Sequence, residues 1–141
     1  MKTFPGEFLN VDLDLKSRVD PAVLIEAWKR QTLAQEIPGL RGKHWVRFML
    51  TFQPRTPGEA IRRFAKLIKN LPSPARRIWS QAKKEIDIGI QAGFERGSTE
   101  LVLDANVVRT LEQMGVPVRI TVYSPLLRLD AEARQKRGSS E

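Results

Sequence analysis

A chain of 141 residues, 41% hydrophobic and 28% charged, has the length and balance of one ordinary globular domain with a core of its own. It contains no cysteine, which excludes disulfides, thiolate metal sites and a cysteine nucleophile. Its net charge of +8 can attract nucleic acid, acidic protein or anionic lipid, and equally fits a simply solvated helical face.

The opening MKTFPGEFLNVDLDLK has no apolar core of a secretory signal, and the longest apolar runs are too short to cross a bilayer. The expectation is a cytoplasmic protein without membrane association.

The first strand is expected at Phe8–Leu15, with Leu9, Val11, Leu13 and Leu15 inward and Asn10, Asp12 and Asp14 outward. VDPAVLIEAWKRQ then reads as a helix: Asp20 caps it, Pro21 takes the first helical position, and Val19 staples onto Leu24. Leu24, Ala27 and Trp28 share its buried face, Glu26 and Arg30 pair outside, and it fades before Pro38. PGLRGKH lacks the glycine spacing and the Ser or Thr of a phosphate-binding P-loop, so it reads as a turn.

Trp45–Phe52 alternates as a second strand, with Val46, Phe48, Leu50 and Phe52 inward. TPGEAIRRFAKLIKN carries a capping box: Thr56 as cap, Pro57 first in the helix, Glu59 third. Its buried stripe is Ile61, Phe64, Ala65 and Ile68, opposite Arg62, Lys66 and Lys69. LPSP breaks this helix and starts another, capped by Ser73, with Ile78, Trp79 and Ala82 inward and Arg76, Arg77 and Lys83 outward. Between Arg41 and Lys84 twelve basic residues face one acid, Glu59, so the helical pair carries most of the excess charge.

Ile86, Ile88, Ile90 and Ala92 form the inner side of a third strand, and Gly93 and Gly97 frame a hairpin into a fourth, with Thr99, Leu101 and Leu103 inward. Asp104 caps a helix built on Val107, Val108, Leu111 and Met114, Gly115 terminates it, and Pro117 blocks continuation. Val118, Ile120 and Val122 give the inner face of a fifth strand, with Arg119, Thr121 and Tyr123 outside. Residues 1–125 thus make one domain, and 126–141 a short amphipathic extension that seats Leu126, Leu127 and Leu129 before a polar tail.

Alternating strands bury one face and leave the other open, which predicts an α+β two-layer sandwich. Its mainly antiparallel sheet has about five strands with helices on one face, ferredoxin-like, with 57–84 as an inserted helical pair. STELVLDANVVRTLEQMGVPVRITVY resembles the closing segment of a bacterial domain family of unknown function, where a strand exit, a helix ending Leu…Gly and a terminal hydrophobic-Tyr recur in that order. TPGEAIRRFAKLIKNLP is similar in placement to that family's middle helix. The resemblance covers roughly the last two-thirds of the domain; it implies the same fold and a bacterial source, and no catalytic residues.

Two surfaces are candidates for function. Asn10, Asp12, Asp14, Trp45, Arg47, Asp87, Gln91, Glu100, Arg119, Thr121 and Tyr123 are expected on the open sheet face, where acids, arginines and aromatics can form a partner site. Asp12 and Asp14 project together, about 7 Å apart. The same pattern also fits a solvated face of cross-strand Asp–Arg pairs. The second surface is basic: Arg62, Arg63, Lys66, Lys69, Arg76 and Arg77 can contact phosphates. Carboxylates on the sheet oppose RNA recognition there, where stacking aromatics are the usual readers. His44 has no second His or Cys to share a metal, and no nucleophile elbow or dinucleotide fingerprint occurs. The expected function is a small non-enzymatic interaction module without metal or cofactor. It would bind a protein partner or a second copy of itself, an immunity-like accessory protein being one form of such a module. Nucleic-acid binding through 57–84 is the alternative, and a small-molecule ligand is not expected.

Overall fold

The computed structural model describes residues 6–93 and 98–124. The chain runs β1 (Glu7–Ser17), α1 (Ala22–Trp28), β2 (Thr32–Ile37), β3 (His44–Leu50), α2 (Pro57–Lys69), α3 (Ser73–Gln81), β4 (Lys83–Gln91), α4 (Ala105–Met114) and β5 (Val118–Tyr123). The five strands form one sheet in the order β2-β3-β1-β4-β5. All neighbours are antiparallel except β4 and β5, which are parallel and joined through α4.

The fold is α+β. The succession β1-α1-β2-β3-helix-β4 is ferredoxin-like, with α2 and α3 together in the place of its second helix. The helical pair therefore replaces an element, and the α4–β5 unit is the addition.

Alternation along the strands sends one set of side chains under the helices. Val11, Leu13 and Leu15 of β1, Val46 and Phe48 of β3, and Ile86, Ile88 and Ile90 of β4 are buried against Leu24, Trp28, Ile61, Phe64, Trp79 and Leu111. Each such side chain contributes about 1.5–3 kcal/mol. Trp28 is central: its ring meets Phe48 edge-on at 4.9 Å and Trp79 at 5.8 Å, and its Nε1 donates to the Leu67 carbonyl.

The caps explain where the helices begin and end. Glu59 N–H donates to Thr56 Oγ1, while the Glu59 carboxylate accepts from Arg55 N–H, one residue outside the ideal box. Val107 N–H donates to Asp104 Oδ1, and Gly115 closes α4 at φ +64°, a conformation that favours glycine. Arg76 adds a further cap, its guanidinium donating to the carbonyls of Lys69 and Leu71 at the C-terminal end of α2.

Several sequence expectations are corrected. The first helix stops at Trp28, and Thr32–Ile37 is an edge strand paired with β3. Its face toward the helices is Thr32, Ala34 and Glu36, which gives little apolar signal, so pairing prevails over the helix propensity of TLAQE. Asp20 accepts from Ala22 N–H just ahead of the helix, Val19 stays half exposed, and Glu26 pairs with Lys29 instead of Arg30. A bulge between Phe8 and Asn10 turns Phe8, not Leu9, toward the core. Phe52 lies past the end of β3, Ser73 makes no cap hydrogen bond, and Val108 is half exposed.

Residues 98–104 are not a strand. β4 already has β1 on one side and β5 on the other, so no edge is left for them; Leu101 and Leu103 instead pack against the margin of the core. The tip of the expected hairpin, 94–97, and the extension 126–141 lie outside the described residues.

The largest correction concerns β5. Val118, Ile120 and Val122 are in register with the buried Ile86, Ile88 and Ile90, yet they are 39%, 55% and 61% exposed. They point to the helix side of the sheet at its margin, where the helix layer does not cover them.

Candidate functional site: the open sheet face and its edge

Alternation places Asp12 and Asp14 of β1, Trp45 and Arg47 of β3, Glu85 and Asp87 of β4, and Arg119, Thr121 and Tyr123 of β5 on the face away from the helices. Asp14 stands opposite Arg47 on one side and Glu85 on the other; Asp12 stands opposite Met49 and Asp87; Asp87 stands beside Arg119. The expected grouping of Asp12, Asp14, Arg47, Asp87 and Arg119 is thus real. Trp45 lies one row along, next to Lys16, whose Nζ sits 4.6 Å from the ring centroid. Gln91 is buried and donates to the Tyr123 carbonyl, and Glu100 is not on the sheet.

Most of these groups are committed to one another. Arg47 donates through Nε to Asp14 Oδ1 at 2.9 Å and through Nη2 to Asp14 Oδ2 at 3.2 Å. This two-pronged contact, with Asp14 only 4% exposed, keeps the guanidinium charged and raises its already high pKa. Thr121 Oγ1 donates to Asp87 Oδ1 at 2.7 Å, and Arg119 Nη2 meets Glu85 Oε1 at 2.8 Å.

Asp12 is the exception. Its Oδ1 is buried with no hydrogen-bond partner among the described residues, as is Trp45 Nε1. Burial raises its pKa from 3.8 to about 6; Arg47 opposes the rise, and the neighbouring Asp14 and Asp87 carboxylates add to it. Among the described residues no group of three His, Asp or Glu side chains is placed to hold a metal ion.

The basic helical surface divides in two. Arg76 is tied to the end of α2, and Arg63 lies 5.2 Å over the Phe52 ring. Arg62, Lys66, Lys69 and Arg77 are exposed and form no ion pair among the described residues. Lys84 is tied to α3, donating to the Trp79 carbonyl at 2.8 Å while lying over the Trp79 ring; desolvation lowers its pKa.

Two features escaped the sequence. One is the apolar row Val118, Ile120, Val122, whose alternation looks the same on a covered strand as on a bare one. The other is Lys16 facing Lys83 across β1 and β4, which becomes visible only with the register.

No protein-family model matches the chain, and no curated protein or solved structure matches it. Among the described residues no helix is long and apolar enough to cross a membrane.

Proposed function

We propose that the protein is a non-enzymatic interaction module that takes an extended segment of an acidic protein partner along β5. The observation that carries this reading is the makeup of that strand. Among the described residues β5 ends the sheet order, so no strand there lies beside its outer backbone donors and acceptors, and three apolar side chains on one of its faces are left about half exposed. It lacks the usual guards of an edge: no proline or lysine lies within it, and its one arginine, Arg119, is paired with Glu85. An added strand would bond backbone to backbone, and its alternate side chains would cover Val118, Ile120 and Val122. The charge of +8 selects an acidic partner. An immunity-like accessory protein of a bacterial cell is one form such a module takes.

A second reading has its own support. Arg62, Lys66, Lys69 and Arg77 form an exposed basic surface suited to phosphates without sequence selection. A salt titration with mixed oligonucleotides separates the two. On the protein-partner reading, any binding is weak and survives in Ile120→Lys and in the charge-reversed helices alike. Micromolar binding that falls steeply with salt and vanishes in Arg62→Glu/Lys66→Glu/Lys69→Glu/Arg77→Glu would replace it with the nucleic-acid reading. Arg76 is left out of that variant because it caps α2.

A further inference from the structure

β5 begins late. Its register with β4 starts at Ile86 opposite Val118, and Ile86 N–H donates to the Pro117 carbonyl at 2.9 Å. The preceding residues of β4, Lys83 to Glu85, therefore pair with β1 on one side and, among the described residues, with no strand on the other. The notch opens into a cleft of about 400 Å³ lined by Lys16, Lys83, Glu85, Pro117 and Arg119 together with Asp14 and Lys84. That volume falls within the usual range for small-ligand sites, about 300–1,000 Å³.

The charges in the cleft do not balance. Asp14 is taken by Arg47, and Glu85 is taken by Arg119. Lys16 and Lys83 then remain, directly opposite one another across β1 and β4, with no carboxylate on either among the described residues. Like charges placed so are unfavourable unless an anion lies between them. Lys16 is steered by the Trp45 ring, which flanks it. Backbone polarity alternates along a strand, so Lys84 turns its N–H to the same side as Ile86 N–H, into the notch, while its ammonium is held on the helix side by Trp79.

We propose that this cleft binds an anionic group, a phosphoryl or a carboxylate, between the Lys16 and Lys83 ammonium groups, with Lys84 N–H as a third donor and Arg119 at the rim. The assignment is independent of the β5 reading: it uses the open face and the strand start, and β5 pairing uses the outer edge.

The test is an amide NMR titration paired with calorimetry, using pyrophosphate in one arm and citrate in the other. The expected result is saturable one-to-one binding of at least one of them, with the Lys84 amide among those that move most. Lys16→Gln and Lys83→Gln each weaken it by about five- to tenfold, the scale of one charge-assisted hydrogen bond. Lys69→Gln, on the far helical surface, leaves it unchanged. The difference between the arms tells phosphoryl from carboxylate preference. Shifts that grow without saturating and spread over α2 and α3, or an affinity unchanged in Lys83→Gln, overturn the proposal.

Discussion

At the scale of single residues, the open face is governed by how few donors serve its carboxylates. Arg47 gives its fork to Asp14, and Asp87 draws on Thr121, which leaves Asp12 with charge neighbours but, among the described residues, no bond to its buried oxygen. The folded state therefore holds a proton on Asp12 up to about pH 6, whereas the unfolded chain releases it near 3.8. Folding takes up that proton between the two values, so this group's contribution to stability falls as pH rises through the window and is flat above it. Asp12→Asn removes the effect. Its unfolding free energy relative to the parent should rise by about 1–2 kcal/mol between pH 4 and pH 7, after allowance for the partial solvation of the site. Denaturant melts of both proteins across that range measure it, and a difference independent of pH would contradict the assignment.

At the scale of elements, what was legible depended on whether the signal is local. The Thr56 and Asp104 caps and Gly115 are decided within four residues, and each stands where the sequence places it. β1, β3 and β4 are also legible, because a strand under helices must alternate Leu, Val, Ile or Phe with polar residues. β2 was not, because an edge strand can bury Thr32 alone of its inward row and still be held by β3. Residues 99–103 misled for the converse reason: the alternation of Thr99, Leu101 and Leu103 satisfies a strand pattern, but the sheet has no free edge beside β4. Arg76 and Arg77 show the same limit. They are neighbours of one type on one exposed stretch, and only the fold reveals that Arg76 secures the α2 terminus. Arg76→Met should lower stability by about 1–2 kcal/mol through the carbonyls left without their donor. Arg77→Met should stay within about 0.5 kcal/mol of the parent. Paired thermal or urea melts read both, and equal effects would remove the capping role.

At the scale of the whole molecule, the two layers carry opposite characters. Arg62, Lys66, Lys69 and Arg77 stand on α2 and α3 without an ion pair among the described residues, whereas Asp14 and Glu85 on the sheet are each bound to an arginine from a neighbouring strand. The sequence allowed this division to be drawn, since the outward strand positions and the basic block are both periodic. It did not locate the surface on which the functional account now rests. That required the placement of helices against strands: among the described residues the helices cover β3, β1 and β4 and leave the helix side of β5 half exposed. A strand of the same composition in the middle of the sheet would have been core.

The central claim is that β5 is where a protein partner is held, and site-specific photo-crosslinking in the native cell tests it most directly. A photoreactive residue at position 120 is compared with one at position 69 on α2. The account predicts one dominant adduct with an acidic protein from position 120 only, suppressed by excess unlabelled parent protein and not by Ile120→Lys. Equal labelling from both positions, or an adduct that Ile120→Lys competes away as well as the parent does, would contradict it.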